Sequence, residues 1–364
     1  MKTRIKDMAE NKKEHNDLSS PTGGQGAGAV LIPAEEMKEV FLSVLLQHEF
    51  EKEKAETCAE VFTANSVDGV YTHGVNRFYP FIQSVKDGFV VPNNEPVLLH
   101  ATPALEQWDG LLAPGITNAI KATERAMQLA KSSGIGCVAM AHTNHWMRGG
   151  YYGWQAAKAG FVLMAWTNTI ANMPAYGAMD TRLGNGPLVI AVPFQEDAIV
   201  LDMAISQYAY GAVQMAAMKG EELSVYAGYD KNGELTKNPS AILETKRTLP
   251  VGYWKGAGLS LLLDILSAVL SGGLATHQIT QQKSEHGVSQ VFMAIDLQQL
   301  KNYSGIETCI NNIIQDYKQS VPIGDNEILY PGERVMKARE RNLKSGIPVL
   351  KKIWDKIKSL ERIE

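Results

Sequence analysis

The chain reads as an α/β protein in which a mixed-sheet domain is inserted in a helix-rich domain formed by both chain ends. Three observations carry this reading. Apolar runs rich in Val and Ile recur at 136–141, 161–166, 188–193 and 199–203, separated by Gly, Asn and Pro turns, the pattern of buried strands. Both flanks instead place apolar residues at helical spacing. A length of 364 residues suits two domains better than one or four.

Taken in order, residues 1–29 mix Lys, Glu, Asp and Asn and end in a Ser, Gly and Pro stretch, so a flexible tail is expected there. It carries no apolar core of a secretory signal. From Pro33 onward, Met37, Val40, Phe41, Val44 and Leu45 recur at helical spacing behind an N1 proline and two first-turn acids. A second helix is expected over 51–66 and a third from near His73 to Gly88. Strands follow at 97–101 and 105–108, then a long helix between Pro114-Gly115 and Gly134. Residues 135–255 read as the sheet domain, and 31–134 with 256–364 as the helical one.

After Pro250 the expectation is a helix at 257–270, a strand near 289–295 and charged helices at 305–319 and 347–362. The apolar stretch 258–270 contains Asp264 and falls short of the roughly 20 residues a bilayer requires, so it reads as a buried core helix. Residues 333–364 carry ten Lys or Arg against five Asp or Glu, the mark of a basic, solvated helical face.

A net charge of −4 gives no general attraction for nucleic acid or anionic lipid. Cys58, Cys137 and Cys309 are odd in number and form no CxxC pair, which argues against a disulfide framework or structural zinc and for a reducing cytosol. Gly134-Ile-Gly136-Cys-Val-Ala139 spells a dinucleotide fingerprint but leads from helix into strand, the reverse of what that turn requires. Neither a P-loop nor a nucleophile elbow is present.

Four segments could carry chemistry. His73 and Arg77, at i and i+4, share one face of a helix opening near His73. Imidazole beside guanidinium suits reduction of a carbonyl next to a carboxylate, and a capped helix start with a solvent-facing Arg is the plain alternative. His142, Asn144, His145 and Arg148 cluster where the strand at 136–141 ends; metal ligation by the two histidines lacks nearby carboxylates. Asp202 closes a strand, where it could orient a histidine, hold a cofactor or cap a turn. Lys255 with Gly252, Gly256 and Gly258 precedes the apolar helix, an arrangement that suits a phosphate or simple close packing.

Read together, the words Gly69-Val-Tyr-Thr-His-Gly-Val-Asn-Arg77-Phe, Glu106-Gln-Trp-Asp109, Asn144-His-Trp-Met-Arg-Gly-Gly150, Tyr152-Gly-Trp-Gln-Ala-Ala157 and Gly252-Tyr-Trp-Lys-Gly256 show that the chain from about Leu31 to Ile363 resembles the type 2 malate/L-lactate dehydrogenases, which are non-Rossmann reductases. That resemblance implies NADH- or NADPH-dependent reduction of a small 2-keto acid in a cytoplasmic homodimer, with no metal and no nucleic-acid or membrane partner. It implies His73 as proton donor, Arg77 as carboxylate anchor, His145 as second active-site histidine and Asp202 beside the nicotinamide. Cofactor contacts would come from Ala198, Ile199, Val200, Leu201, Asp202, Met203 and Ala204, from Trp254 and Lys255, and from Gly332, Glu333 and Arg334. Sister activities on malate, lactate, ureidoglycolate or a cyclic imino acid stay open, as does a non-catalytic nucleotide-binding protein. Two departures stand out: Thr72 where the resembled reductase has Ser, and Gly184-Asn-Gly-Pro187 for the usual Gly-Thr-Asn-Pro.

Overall fold

A computed structural model describes residues 28–361. The chain opens with β1 (Ala29–Ile32), α1 (Ala34–Gln47), α2 (Lys52–Val67) and α3 (Val75–Lys86). The sheet region follows as β2 (Val97–Ala101), β3 (Leu105–Asp109), α4 (Gly115–Ser133), β4 (Ile135–Thr143), α5 (Gly149–Lys158), β5 (Phe161–Thr167), β6 (Ala171–Pro174), β7 (Thr181–Gly184), β8 (Leu188–Phe194) and β9 (Asp197–Met203). Beyond it come α6 (Tyr210–Lys219), the two-residue strands β10 (Gly228–Tyr229) and β11 (Leu235–Thr236), α7 (Pro239–Thr245), α8 (Trp254–Ser271), α9 (Thr276–Thr280) and β12 (Val288–Asp296). The end is α10 (Tyr303–Lys318), α11 (Glu333–Ser345), β13 (Ile347–Leu350) and α12 (Lys351–Lys358).

Seven strands form one mixed sheet in the order β2-β3-β4-β12-β5-β8-β9, parallel only between β3 and β4. Alternation along each strand sends side chains to two cores. On one face, Val138, Met140, Leu163, Val189 and Phe292 pack with α4 and α5; on the other, Cys137, Ala139, Trp166 and Val291 pack with Ala257 and Leu263 of α8. A third core joins the N-terminal helices, where Phe41 stacks on Phe78 at 4.0 Å and Phe62 meets Phe78 edge-on.

The expected strands and the helix behind Pro114-Gly115 all form, but four expectations change. The sheet draws β2, β3 and β12 from outside 135–255, so the expected boundaries pass through continuous strand pairing. The helix expected over 347–362 is instead β13 followed by α12, because Ile347–Leu350 pairs antiparallel with Ala29–Ile32 and Pro348 suits that two-stranded edge. The same pairing moves the end of the expected tail: Ala29 belongs to β1 and the Gly28 carbonyl accepts from Lys351 N, while residues 1–27 lie outside the described residues. Finally, α8 is not a buried core helix. It is the one described helix long and apolar enough to cross a membrane, yet only a third of it is buried, and Leu261, Leu262, Ile265, Leu266 and Val269 are exposed.

Glycine 115 opens α4 against the loop that follows β4. A Cβ there would fall 2.1 Å from the Asn144 carbonyl oxygen and 2.5 Å from that of His145. Gly115→Ala is therefore expected to cost about 1–3 kcal/mol in denaturant unfolding, as overpacked sites do, and to displace the segment carrying His145; unchanged stability would contradict this packing.

Candidate functional site

His73 and Arg77 do not share one helix, as their spacing suggests. Tyr71–His73 form a single 3-10 turn, Gly74 breaks direction, and α3 starts at Val75. Only glycine fits the break, since a Cβ on Gly74 would lie 2.3 Å from Ser66 Oγ. Asn65 Nδ2 donates to the His73 carbonyl at 3.1 Å, and Val75 N donates to Ser66 Oγ at 2.9 Å, so the turn is tied to the end of α2. Both side chains still reach the same cleft.

The second histidine comes from the β4–α5 loop. Asn144 Nδ2 donates to the carbonyls of Leu112 and Ala113, and Gln290 Nε2 donates to the Asn144 carbonyl, so two segments hold the loop through three hydrogen bonds. Met147 takes a φ of 66°, and its N–H donates to His145 Nδ1 at 2.9 Å. The His73 and His145 rings stack with centroids 5.6 Å apart at 19°. Burial, then the charges of Arg77 and Arg148, lower the His73 imidazole to about 4. Burial, then Arg77 and His73, hold His145 well below the usual histidine range. Both rings are neutral at neutral pH. His142 turns away, placing Nδ1 2.9 Å from Asp109 Oδ2.

Behind the histidines lies a buried ionic cluster. Asp68, the residue closing α2, accepts from Arg148 and from Arg339 of α11 at 2.6 and 3.0 Å. The two guanidinium carbons sit 4.7 and 5.4 Å from the Trp154 ring centroid. Arg148 Nε is 3.8 Å from Asp202 Oδ2, which also accepts the Gly150 N–H at 2.8 Å. Burial raises the Asp202 carboxyl, with Arg148 and the Gly150 N–H pulling the other way. Asp68 opens the His73 motif in sequence, but no local pattern shows that it would be the counter-ion of two distant arginines.

These elements border a cleft of about 2100 Å³. His73, Arg77, His145 and Asp202 all line it, as do Val200, Leu201, Ala204, Gly332 and Arg334. Other expected residues do not. Ala198 is buried in the core with α5, Met203 packs into the core against α8, and Ile199 lies off the lining. Glu333 pairs with Lys318. Trp254 and Lys255 are exposed in the first turn of α8, outside the cleft, because that helix starts three residues earlier than its apolar pattern suggests. Eight Lys or Arg line the cleft against five Asp or Glu, so it is locally positive in a net negative chain. A wall missed in sequence is α6, whose Gly211 packs on Thr72 and whose Met215 Sδ lies 3.8 Å from Asn76 Nδ2. The segment carries no recognisable motif.

Residues 32–358 match the family model described as malate/L-lactate dehydrogenase. The chain is 41% identical over 328 residues to a 2,3-diketo-L-gulonate reductase of Salmonella paratyphi C, covering 90% of this chain and 98% of that one. Among solved structures it resembles the sulfolactate dehydrogenase of Methanocaldococcus jannaschii, with a TM-score of 0.84, 28% identity and coverage of 91% and 96%. It also resembles a malate dehydrogenase from Pyrococcus horikoshii, with a TM-score of 0.84, 26% identity and coverage of 93% and 97%.

The depressed His73 value carries a stability consequence. Between the ordinary 6.5 and about 4, an unfolded chain binds a proton that the folded one refuses, so stability falls as pH drops through that window. The melting temperature should therefore decline more steeply on acidification in the wild type than in His73→Asn, and equal slopes would contradict a buried neutral His73.

Proposed function

Because the chain belongs to the malate/L-lactate dehydrogenase family and is an oxidoreductase, we propose that it reduces a 2-keto acid to a 2-hydroxy acid with NADH or NADPH, 2,3-diketo-L-gulonate to 3-keto-L-gulonate being the reaction of first choice. The observation that carries this reading is Arg77. Its guanidinium lines the cleft beside two neutral histidines and has no acidic or hydrogen-bonding side-chain partner among the described residues. An unpaired guanidinium fork there is a receptor for a substrate carboxylate.

The residues facing the cleft along β9 and α11 suit a dinucleotide. Val200, Leu201, Asp202 and Ala204 form one side, Gly332 and Arg334 the other, with Val200 N donating to the Pro331 carbonyl at 3.1 Å. A Cβ on Gly332 would lie 3.2 Å from Val200 N and from Trp154, so its absence leaves a gully for an extended ligand. A bound nicotinamide supplies hydride to the carbonyl carbon. Arg77 fixes the carboxylate, His73 delivers the proton to the carbonyl oxygen, and His145 and Asp202 hold substrate and cofactor in register.

The working unit of this proposal is a cytoplasmic homodimer in which a second copy covers α8. Its exposed residues follow i, i+1, i+4, i+5 and i+8, an apolar stripe on one helix face. The only charge in that stretch, Asp264, turns inward to accept from Asn168 Nδ2 and Thr276 N.

A panel of 2-keto acids with NADH and NADPH, followed by nicotinamide absorbance, tests the reading. Diketogulonate should be turned over, and His73→Ala should lower kcat by roughly 10² or more while Arg77→Ala chiefly raises KM. Absence of NADH and NADPH oxidation across the panel would sink the proposal. Light scattering should find a dimer in the wild type and a monomer in Ile265→Glu.

A further inference from the structure

The two stacked histidines meet partners of different kinds at Nδ1. His145 Nδ1 faces the Met147 backbone N–H at 2.9 Å. A backbone N–H can only donate, so Nδ1 is the bare acceptor and the ring proton sits on Nε2. Protonating His145 would set N–H against N–H and break this bond. The loop is shaped to make it, since Met147 is held at a φ of 66°, where a non-glycine residue is strained.

His73 Nδ1 faces Thr72 Oγ1 at 3.1 Å. A hydroxyl is a rotor: it donates to a bare ring nitrogen and accepts from a protonated one. The contact therefore survives a change in the charge of His73. The rotor's position is fixed from α6, because Thr72 packs against Gly211: a Cβ built there would lie 3.0 Å from the Thr72 methyl and 3.6 Å from its hydroxyl. A β-branched side chain between those two neighbours has its χ1 set, with the methyl toward α6 and the oxygen toward the imidazole.

The charged surroundings act on both rings. Arg77 reaches them from α3 and Arg148 from the turn before α5, with Asp68 and Asp202 beside Arg148. From α6 the neighbouring titratable group is Tyr210, whose hydroxyl proton burial retains. A carboxylate on Arg77 offsets one of the causes that keep His73 neutral, so substrate and proton arrive together.

We propose that His73 alone changes its protonation state during turnover, with Thr72 as the positioning residue that permits the change. His145 stays neutral and donates a hydrogen bond from its Nε2–H, without losing the proton, to the oxygen that becomes the alkoxide. This rests on the 2-keto acid reductase reading. The keto carbon gains a hydride from the dihydronicotinamide, which is oxidised, and the carbonyl π pair moves to oxygen. That oxygen bonds the proton leaving His73 Nε2, and the neutral imidazole is reloaded from water.

Two measurements decide it. In ¹⁵N-histidine NMR of the ligand-free wild type, His145 should be the neutral Nε2–H tautomer at neutral pH and stay so through the usual histidine range; a His145 ring that titrates in that range overturns the proposal. In kinetics, Thr72→Val should lose roughly tenfold or more in kcat with KM little changed and the pH profile shifted, while Thr72→Ser restores both. His145→Gln, which keeps a neutral N–H donor, should retain the shape of the profile. Wild-type kcat and profile in Thr72→Val overturn the role of Thr72. If no 2-keto acid is reduced, the functional reading fails on its own, and the NMR tautomers still report on the histidines.

Discussion

The site depends on one buried carboxylate. Asp68 is 7% exposed and is gripped by Arg148, 3% exposed, and by Arg339. It stands directly before the turn that carries His73. Arg148 ends the loop that carries His145, and Arg339 belongs to the helix that starts at the Gly332 gully. A single anion thus ties together three segments far apart in sequence. Removing Asp68 would leave two guanidiniums, one of them 3% exposed, without the carboxylate they share, a larger cost than the pairing itself contributes to stability. The Trp154 ring lies within cation–π distance of both guanidiniums, 4.7 and 5.4 Å from its centroid.

Charge is distributed unevenly to serve the same end. The two arginines of the ionic cluster, Arg148 and Arg339, are neutralised by Asp68. Arg77 is left open. Next to it stand two imidazoles that burial strips of charge, so a carboxylate drawn into the positive cleft meets at the histidines one open guanidinium flanked by neutral rings. That arrangement favours a ligand with one well-placed anionic group.

Much of this was legible from residues alone. The strands could be read because Val, Ile and Ala runs of strand length are bounded by Gly, Asn and Pro, and His73, Arg77, His145 and Asp202 stood out as polar groups at element ends. What escaped reading was set by partners distant in sequence. Ile347-Pro-Val-Leu350 has no strand signature of its own and becomes one by pairing with Ala29–Ile32. The α8 pattern reports apolarity and not which face the same chain covers, so Leu262 and Leu263 look alike in sequence while one is exposed and the other buried. Asp68 carries no periodicity, and its role is fixed by arginines 80 and 271 positions away.

Those separations also dictate an order of events during synthesis. The ribosome releases Asp68 in a helical segment that packs locally around Phe41, Phe62 and Phe78, but Arg339 follows only 271 residues later, with β13 behind it. Until then the carboxylate lacks one of its two cations and β1 lacks β13, its one strand partner among the described residues. Contacts of such span are slow to form and are made after the local ones. The nascent protein therefore acquires a folded sheet and a helical head before it acquires a working site, and the last two dozen described residues act as the latch that closes the first.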